Sequence, residues 1–244
     1  MNKMTKIAAA VALITGAVTA TPVMAENDVA VSANVGFLTD YYFRGIHLGD
    51  AGAFGGADVE YAGFYAGVWG VDDGGGVGEG DSGAGDDGME VDFYAGYGYE
   101  FENGLALGVG YTRYDYTYTS NYEDEINLSA GFAGFEVTYA DGTGHWDKED
   151  STGEEADYKF WTVGYSGEIF GVLYGKYKNE GDDSGDEYSY DYVEISASGE
   201  VAGLDVTATL GKTRNVEEEI GGVNSDLSSG DGYFVLAVSK SFDL

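Results

Sequence analysis

The chain contains no cysteine, which excludes disulfides, thiolate nucleophiles and cysteine metal sites. Its single proline, Pro22, lies near the N-terminus. Beyond it nothing interrupts ladder pairing, which suits a chain made mostly of strand. Basic residues are scarce, 11 against 44 acidic ones. That excludes nucleic acid as a partner, because phosphate needs a basic footprint. After residue 25 no apolar run approaches the roughly 20 residues of a spanning helix.

The one sustained apolar run, Ile7 to Val18, follows Lys3 and Lys6 and precedes Val23-Met24-Ala25. This order predicts a secretory signal peptide over residues 1–25, with residues 26–244 forming one domain. The run is broken by Thr15 and Gly16, which argues against an anchor. Nine basic and all 44 acidic residues follow it, a formal charge of −35 for that part.

Aromatic residues are abundant, with 21 Tyr, 12 Phe and 3 Trp, all beyond residue 25. They fall into an alternation of period two. In Glu90–Gly104 (EVDFYAGYGYEFENG) one register holds Val91, Phe93, Ala95, Tyr97, Tyr99 and Phe101, and the other Glu90, Asp92, Tyr94, Gly96, Gly98 and Glu100. Such a segment is a strand with two unlike faces. The pattern recurs and predicts twelve strands, over 29–43, 53–61, 64–71, 89–101, 105–117, 124–132, 135–141, 157–165, 169–178, 190–198, 203–213 and 233–242.

The connections alternate in kind. Ala62-Gly63, Glu102–Gly104, Ala133-Gly134, Ser166–Glu168 and Gly199–Ala202 are short, whereas Asp72–Gly88, Gly142–Ala156, Asn179–Ser189 and Arg214–Gly232 are long and acidic. An even strand number, short turns on one rim and long loops on the other predict an all-β fold, a transmembrane antiparallel barrel of the outer-membrane type. Lipid then covers the apolar register, and the sheet must close because no backbone group can stay unpaired in lipid. A soluble tyrosine-rich sandwich would carry turn signals at both ends in similar measure.

Three stretches, Thr39–Asp50 (TDYYFRGIHLGD), Gly63–Gly70 (GFYAGVWG) and Met89–Tyr97 (MEVDFYAGY), resemble the TorF-type porin family of proteobacteria. The resemblance implies an outer-membrane channel; beyond about residue 130 it is mainly strand rhythm. That family was once labelled by a Gly, Cys and Trp pattern, and any role of the thiol does not transfer to a chain without cysteine.

With the apolar register outward, the register facing the lumen includes Asn34, Asp40, Arg44, Asp58, Glu60, Glu90, Asp92, Glu100, Glu125, Glu136, Glu194 and Asp205. Of these, Arg44, Asp58, Glu60, Glu90, Asp92, Glu100, Glu125 and Glu194 are the candidate pore-lining residues. An acidic lumen with low-dielectric walls concentrates cations. Arg44 is the exception, expected to pair with a lumen carboxylate, for instance Glu90 or Asp92, and brace the wall. Inward glycines such as Gly96, Gly98, Gly108 and Gly110 are expected to leave open space, and Trp69, Trp146, Trp161 and the tyrosines to form interfacial girdles.

The resulting expectation is a monomeric, porin-like channel in the cell outer membrane, for passive diffusion of small cationic or neutral solutes. Its lipid partners are outer-membrane lipid and lipopolysaccharide, whose phosphates divalent ions could bridge to the acidic loops, since Lys148, Lys176, Lys178, Lys212 and Arg214 are the few cations near the predicted outer rim. The rivals are a plugged structural or surface-interaction barrel and an outer-membrane enzyme. The carboxylate pairs Asp58/Glu60 and Glu90/Asp92 have the spacing that any polar strand face produces. His47 and His145, read as loop residues, lack the constellation of a hydrolase. No catalytic, cofactor-binding or metal site is expected, although the Gly/Asp loop Asp72–Gly88 has the composition of a weak divalent site.

Overall fold

The computed structural model of the protein describes residues 29–72, 88–117, 120–146, 154–181, 187–219 and 232–244. The segment read as a signal peptide and most of the Asp72–Gly88 loop lie outside the described residues.

Twelve strands close into an antiparallel barrel: β1 (Ala30–Leu38), β4 (Gly52–Tyr61), β5 (Phe64–Asp72), β6 (Met89–Glu100), β7 (Ala106–Tyr116), β8 (Tyr122–Phe132), β9 (Phe135–Trp146), β10 (Glu154–Ser166), β11 (Phe170–Asn179), β12 (Glu187–Val201), β13 (Leu204–Glu219) and β14 (Gly232–Asp243). Each pairs with its neighbours in the chain order, and β1 closes the ring by pairing β14 on one side and β4 on the other. Closure removes every edge, as lipid requires. The described residues contain no helix.

The alternating register decides the faces. Phe37, Val59, Phe93, Leu107, Ile126, Val137, Val172 and Leu210 all point outward and are 42–62% exposed, a belt that lipid must cover. The chain is thus an outer-membrane β-barrel. Three turns at one rim share a conformation: Ala62-Gly63, Ala133-Gly134 and Ala202-Gly203 all have positive φ at both residues. That is the two-residue type I′ turn, whose twist matches that of the flanking strands. The third lies one step beyond the expected Gly199–Ala202, because β12 runs to Val201. On the other rim the strands reach further than their alternation predicts; β9 extends to Trp146 and β13 to Glu219.

The main departure is at the first strand. The alternation predicts 29–43, but the wall strand ends at Leu38. The chain then forms a separate two-stranded sheet, β2 (Tyr41–Phe43) and β3 (Ile46–Gly49), which has no ladder pairing with the wall. The largest buried apolar cluster surrounds this hairpin, joining Leu38, Tyr41 and Phe43 to Phe54, Trp69, Tyr94, Tyr114 and Tyr233 of the wall. The core of this protein therefore lies inside the barrel.

Candidate functional site

The hairpin turns at Arg44-Gly45, with φ of 51° and 82°. It is the same type I′ geometry as the Ala-Gly turns, with arginine where they have alanine. Gly45 is required twice over. Its φ is left-handed, and a Cβ there would stand 2.7 Å from the Tyr192 side chain. The turn is thus pressed against β12 and β13, where Thr213 donates to the Gly45 carbonyl at 2.5 Å.

From this tip the Arg44 side chain reaches Glu125 of β8. Nη2 donates to Oε2 at 2.6 Å, and both side chains are 2% exposed. Tyr114 and Tyr158 also donate to the Glu125 carboxylate, at 2.8 and 2.9 Å. The guanidinium lies 4.6 Å from the Phe43 ring centroid and 4.3 Å from that of Phe160, so rings flank the ion pair. Burial alone would lower the arginine's pKa, but the Glu125 carboxylate beside it holds it well above the usual value. Arg44 thus pairs with a lumen carboxylate as expected, but with Glu125 in place of the suggested Glu90 or Asp92. Both face inward on β6, but Tyr41 is the hairpin residue bonded to Glu90, donating at 2.6 Å. The reason is the reach of the hairpin, which sets the Arg44 tip against β8, two strands beyond β6 in the ring, so that Glu125 takes the hydrogen bond.

Further contacts seat the hairpin. Tyr42 stacks on Tyr233 with centroids 3.9 Å apart, and Tyr233 donates to Glu194 at 2.7 Å. Tyr41 lies against Trp69, with centroids 6.3 Å apart. At the base, Thr39 N donates to the Leu236 carbonyl, and Leu236 N to Thr39 Oγ1, both at 3.0 Å. His47 stands 3.9 Å from Asp40 and from Asp50. Ligand atoms of these three lie within 4.8 Å of one another, a spacing that could hold a metal ion, although exposed acidic groups commonly gather without one. His47 and His145 lie in β3 and β9 rather than in loops, and His145 sits between Asp124 (3.7 Å) and Glu155 (3.4 Å).

Away from the hairpin the lumen is different. Small hydroxyl side chains face inward, with Thr138 and Thr162 bonded at 2.6 Å and Ser198 and Thr207 at 2.9 Å. Asp58, Glu60, Glu136 and Asp205 belong to the same inward register and are partly buried. Glu100 instead is exposed at the turn rim, because the last residue of β6 has left the enclosed part of the barrel.

The inward glycines do not simply leave space. Gly67, Gly96, Gly142, Gly175 and Gly211 each stand directly across from a tyrosine: Tyr94, Tyr65, Tyr158, Tyr192 and Tyr233. A Cβ at any of the five would come within 2.5 Å of that ring or its hydroxyl. The rings therefore lie flat along the wall, each in the notch its glycine leaves. Trp69 is likewise inside, 5% exposed, whereas Trp161 faces outward at 36%. The side chain of Trp146 lies outside the described residues. Sequence reasoning missed Tyr41, Phe43, Tyr114, Phe160 and Tyr192 as site residues. The available signal was the residue–glycine dipeptide Arg44-Gly45, of the same form as the turn dipeptide Ala62-Gly63.

A family model described as "Bacterial protein of unknown function (Gcw_chp)" matches residues 23–242. Among solved structures, an outer membrane channel from Pseudomonas putida F1 superposes with a TM-score of 0.55 at 11% identity, over 93% of this chain and 100% of that one. OccK2 of Pseudomonas aeruginosa matches at 12% identity over 82% of this chain and 59% of its own, with a TM-score of 0.37, too loose a likeness to carry any argument. No curated protein matches the chain in sequence.

Proposed function

We propose that this chain, which belongs to the Gcw_chp family, is a porin-like channel for passive diffusion of small cationic or neutral solutes, narrowed by its own β2–β3 hairpin and active as a monomer. The observation that carries the reading is the division of the barrel. Its wall is complete without the hairpin, and the lumen beyond the hairpin is lined by hydroxyls and carboxylates. The shared fold with the Pseudomonas putida channel and the three stretches resembling TorF-type porins support it. A twelve-stranded ring lies between barrels of about 8 strands, filled by side chains, and those of 16–18, which hold open water. An inserted hairpin makes it narrower still. Asp58, Glu60, Glu136 and Asp205 give the passage a negative potential, screened over about 10 Å at 0.1 M salt.

Planar-bilayer recording in a KCl gradient tests this. The wild-type chain should pass small, cation-selective currents, and replacing residues 40–51 by a short Gly-Ser link should raise conductance several-fold. Asp58→Asn with Glu60→Gln should move the reversal potential toward the unselective value. The packed core inside the lumen favours a second reading, a plugged structural barrel. A silent wild type with a conducting hairpin deletion would establish the plug, and silence of both would end the channel reading.

A further inference from the structure

Nine basic residues follow residue 25, and five of them fall on one outward patch. Lys159 on β10, Lys176 and Lys178 on β11, and Lys212 and Arg214 on β13 all belong to the outward register. They lie toward the long-loop rim, at the upper border of the apolar belt. Lys176 stands directly across from Trp161, and Lys212 directly across from Val193. Trp161 and Tyr174 pack together at that border, with centroids 5.3 Å apart, as aromatic residues do at headgroup level.

Cations gathered in this way need anions between them, and the protein supplies these for only part of the patch. Lys159 and Lys178 are direct cross-strand partners, and like charges so placed repel. In a chain with 44 acidic residues, carboxylates could have taken these places. Those nearby are shared or committed. Glu180 serves both Lys159 and Lys178, and Glu187 also reaches Lys178, at 3.6 Å. Asp191, across from Lys176, is held by Arg214 at 2.7 Å and by Asn215. Among the described residues no carboxylate pairs with Lys176 or Lys212. Two cations thus stand at headgroup depth, facing the bilayer.

We propose that this patch binds the phosphorylated glycolipid headgroup of the outer leaflet, with Lys176 and Lys212 as its principal phosphate contacts. The leaflet follows from topology. Short turns and both ends of the barrel lie on the opposite rim, so the long-loop rim faces outward and its leaflet is the lipopolysaccharide leaflet. Phosphate monoesters complement ammonium groups, and each lysine near an anionic membrane surface contributes about a fivefold gain in affinity. The proposal is independent of conduction, and a barrel that passes no current would bind the lipid equally.

The full chain, folded in detergent, is incubated with lipid A, with dephosphorylated lipid A or with cardiolipin, and the retained lipid is counted by native mass spectrometry. Wild type should retain lipid A in preference to the other two, and millimolar inorganic phosphate should not displace it. Lys212→Gln should lose about fivefold, and Lys176→Gln with Lys212→Gln more than tenfold, with folding checked by heat-modifiable gel migration. Lys240→Gln should change nothing, since Lys240 lies at the opposite rim, donating to the Gly203 carbonyl. Equal retention of dephosphorylated lipid A or of cardiolipin, or unchanged retention by Lys212→Gln, would overturn the proposal.

Discussion

Replacing Glu125 by Gln removes the charge that holds the hairpin tip and leaves Arg44 buried without its counter-ion. Breaking a buried pair in this way costs about 3–5 kcal/mol. The cost can be met in two ways. The wall can distort around the cation, or the hairpin can leave its seat and return Arg44 to water. Leaving forfeits the burial of Phe43, about 1.5–3 kcal/mol, and comparable apolar area on Tyr41 and Tyr42. It forfeits no ladder bond, because β2 and β3 pair only with each other. The three side chains together come to about 4.5–9 kcal/mol, at or above the penalty of the broken pair, so the variant hairpin should be unseated for a small but measurable fraction of the time. Single-channel recordings of Glu125→Gln should therefore show transitions to a higher conductance level. Urea unfolding of the wall should shift by less than the full penalty. The paired replacement Arg44→Met with Glu125→Leu, which removes both charges of the pair together, should return to the quiet state. A wall destabilised by the full 3–5 kcal/mol with unchanged currents would refute the reasoning and make the hairpin an integral part of the wall.

The tyrosine–glycine notches predict a coupling. Gly67→Ala places a methyl 2.5 Å from the Tyr94 ring and should destabilise the barrel by about 1–3 kcal/mol; adding Tyr94→Ala should recover part of that in a double-mutant cycle followed by urea titration. The orientation of the rims is open to thiol labelling, because the chain has no cysteine of its own. A membrane-impermeant maleimide on intact cells should label Asp50→Cys, at the base of the hairpin with its side chain 94% exposed, and spare Asn103→Cys in the Phe101–Leu105 turn. The reverse pattern would invert the topology.

The wall was legible because its physics is repetitive. Each spanning strand must alternate, and each short turn carries glycine, so Leu107 and Val109 declare their face without any knowledge of neighbours. The hairpin was hidden because it obeys the same local rules as the wall. Residues 29–43 read as one strand, since Thr39-Asp40 carries neither glycine nor proline to mark where the chain leaves the ring. What separates the two parts is what each residue meets, and that is a property of the closed ring.

The tyrosines show the same limit. Tyr97 and Tyr94 lie in one strand, three residues apart, yet one faces lipid and the other lies over Gly67. Parity assigns them to opposite faces, but only the register of β5 against β6 sets that glycine across from Tyr94. Arg44 is harder still, because its partner is 81 residues away and on no neighbouring strand. A buried ion pair has many alternative partners of nearly equal Coulomb energy in so acidic a lumen, and geometry must choose among them. Here the choice is made by the length of the hairpin and by the notch that Gly45 needs against Tyr192. Glu125 is the carboxylate that the tip meets at hydrogen-bond distance, and two tyrosine hydroxyls donating to the same carboxylate fix its orientation toward the arginine.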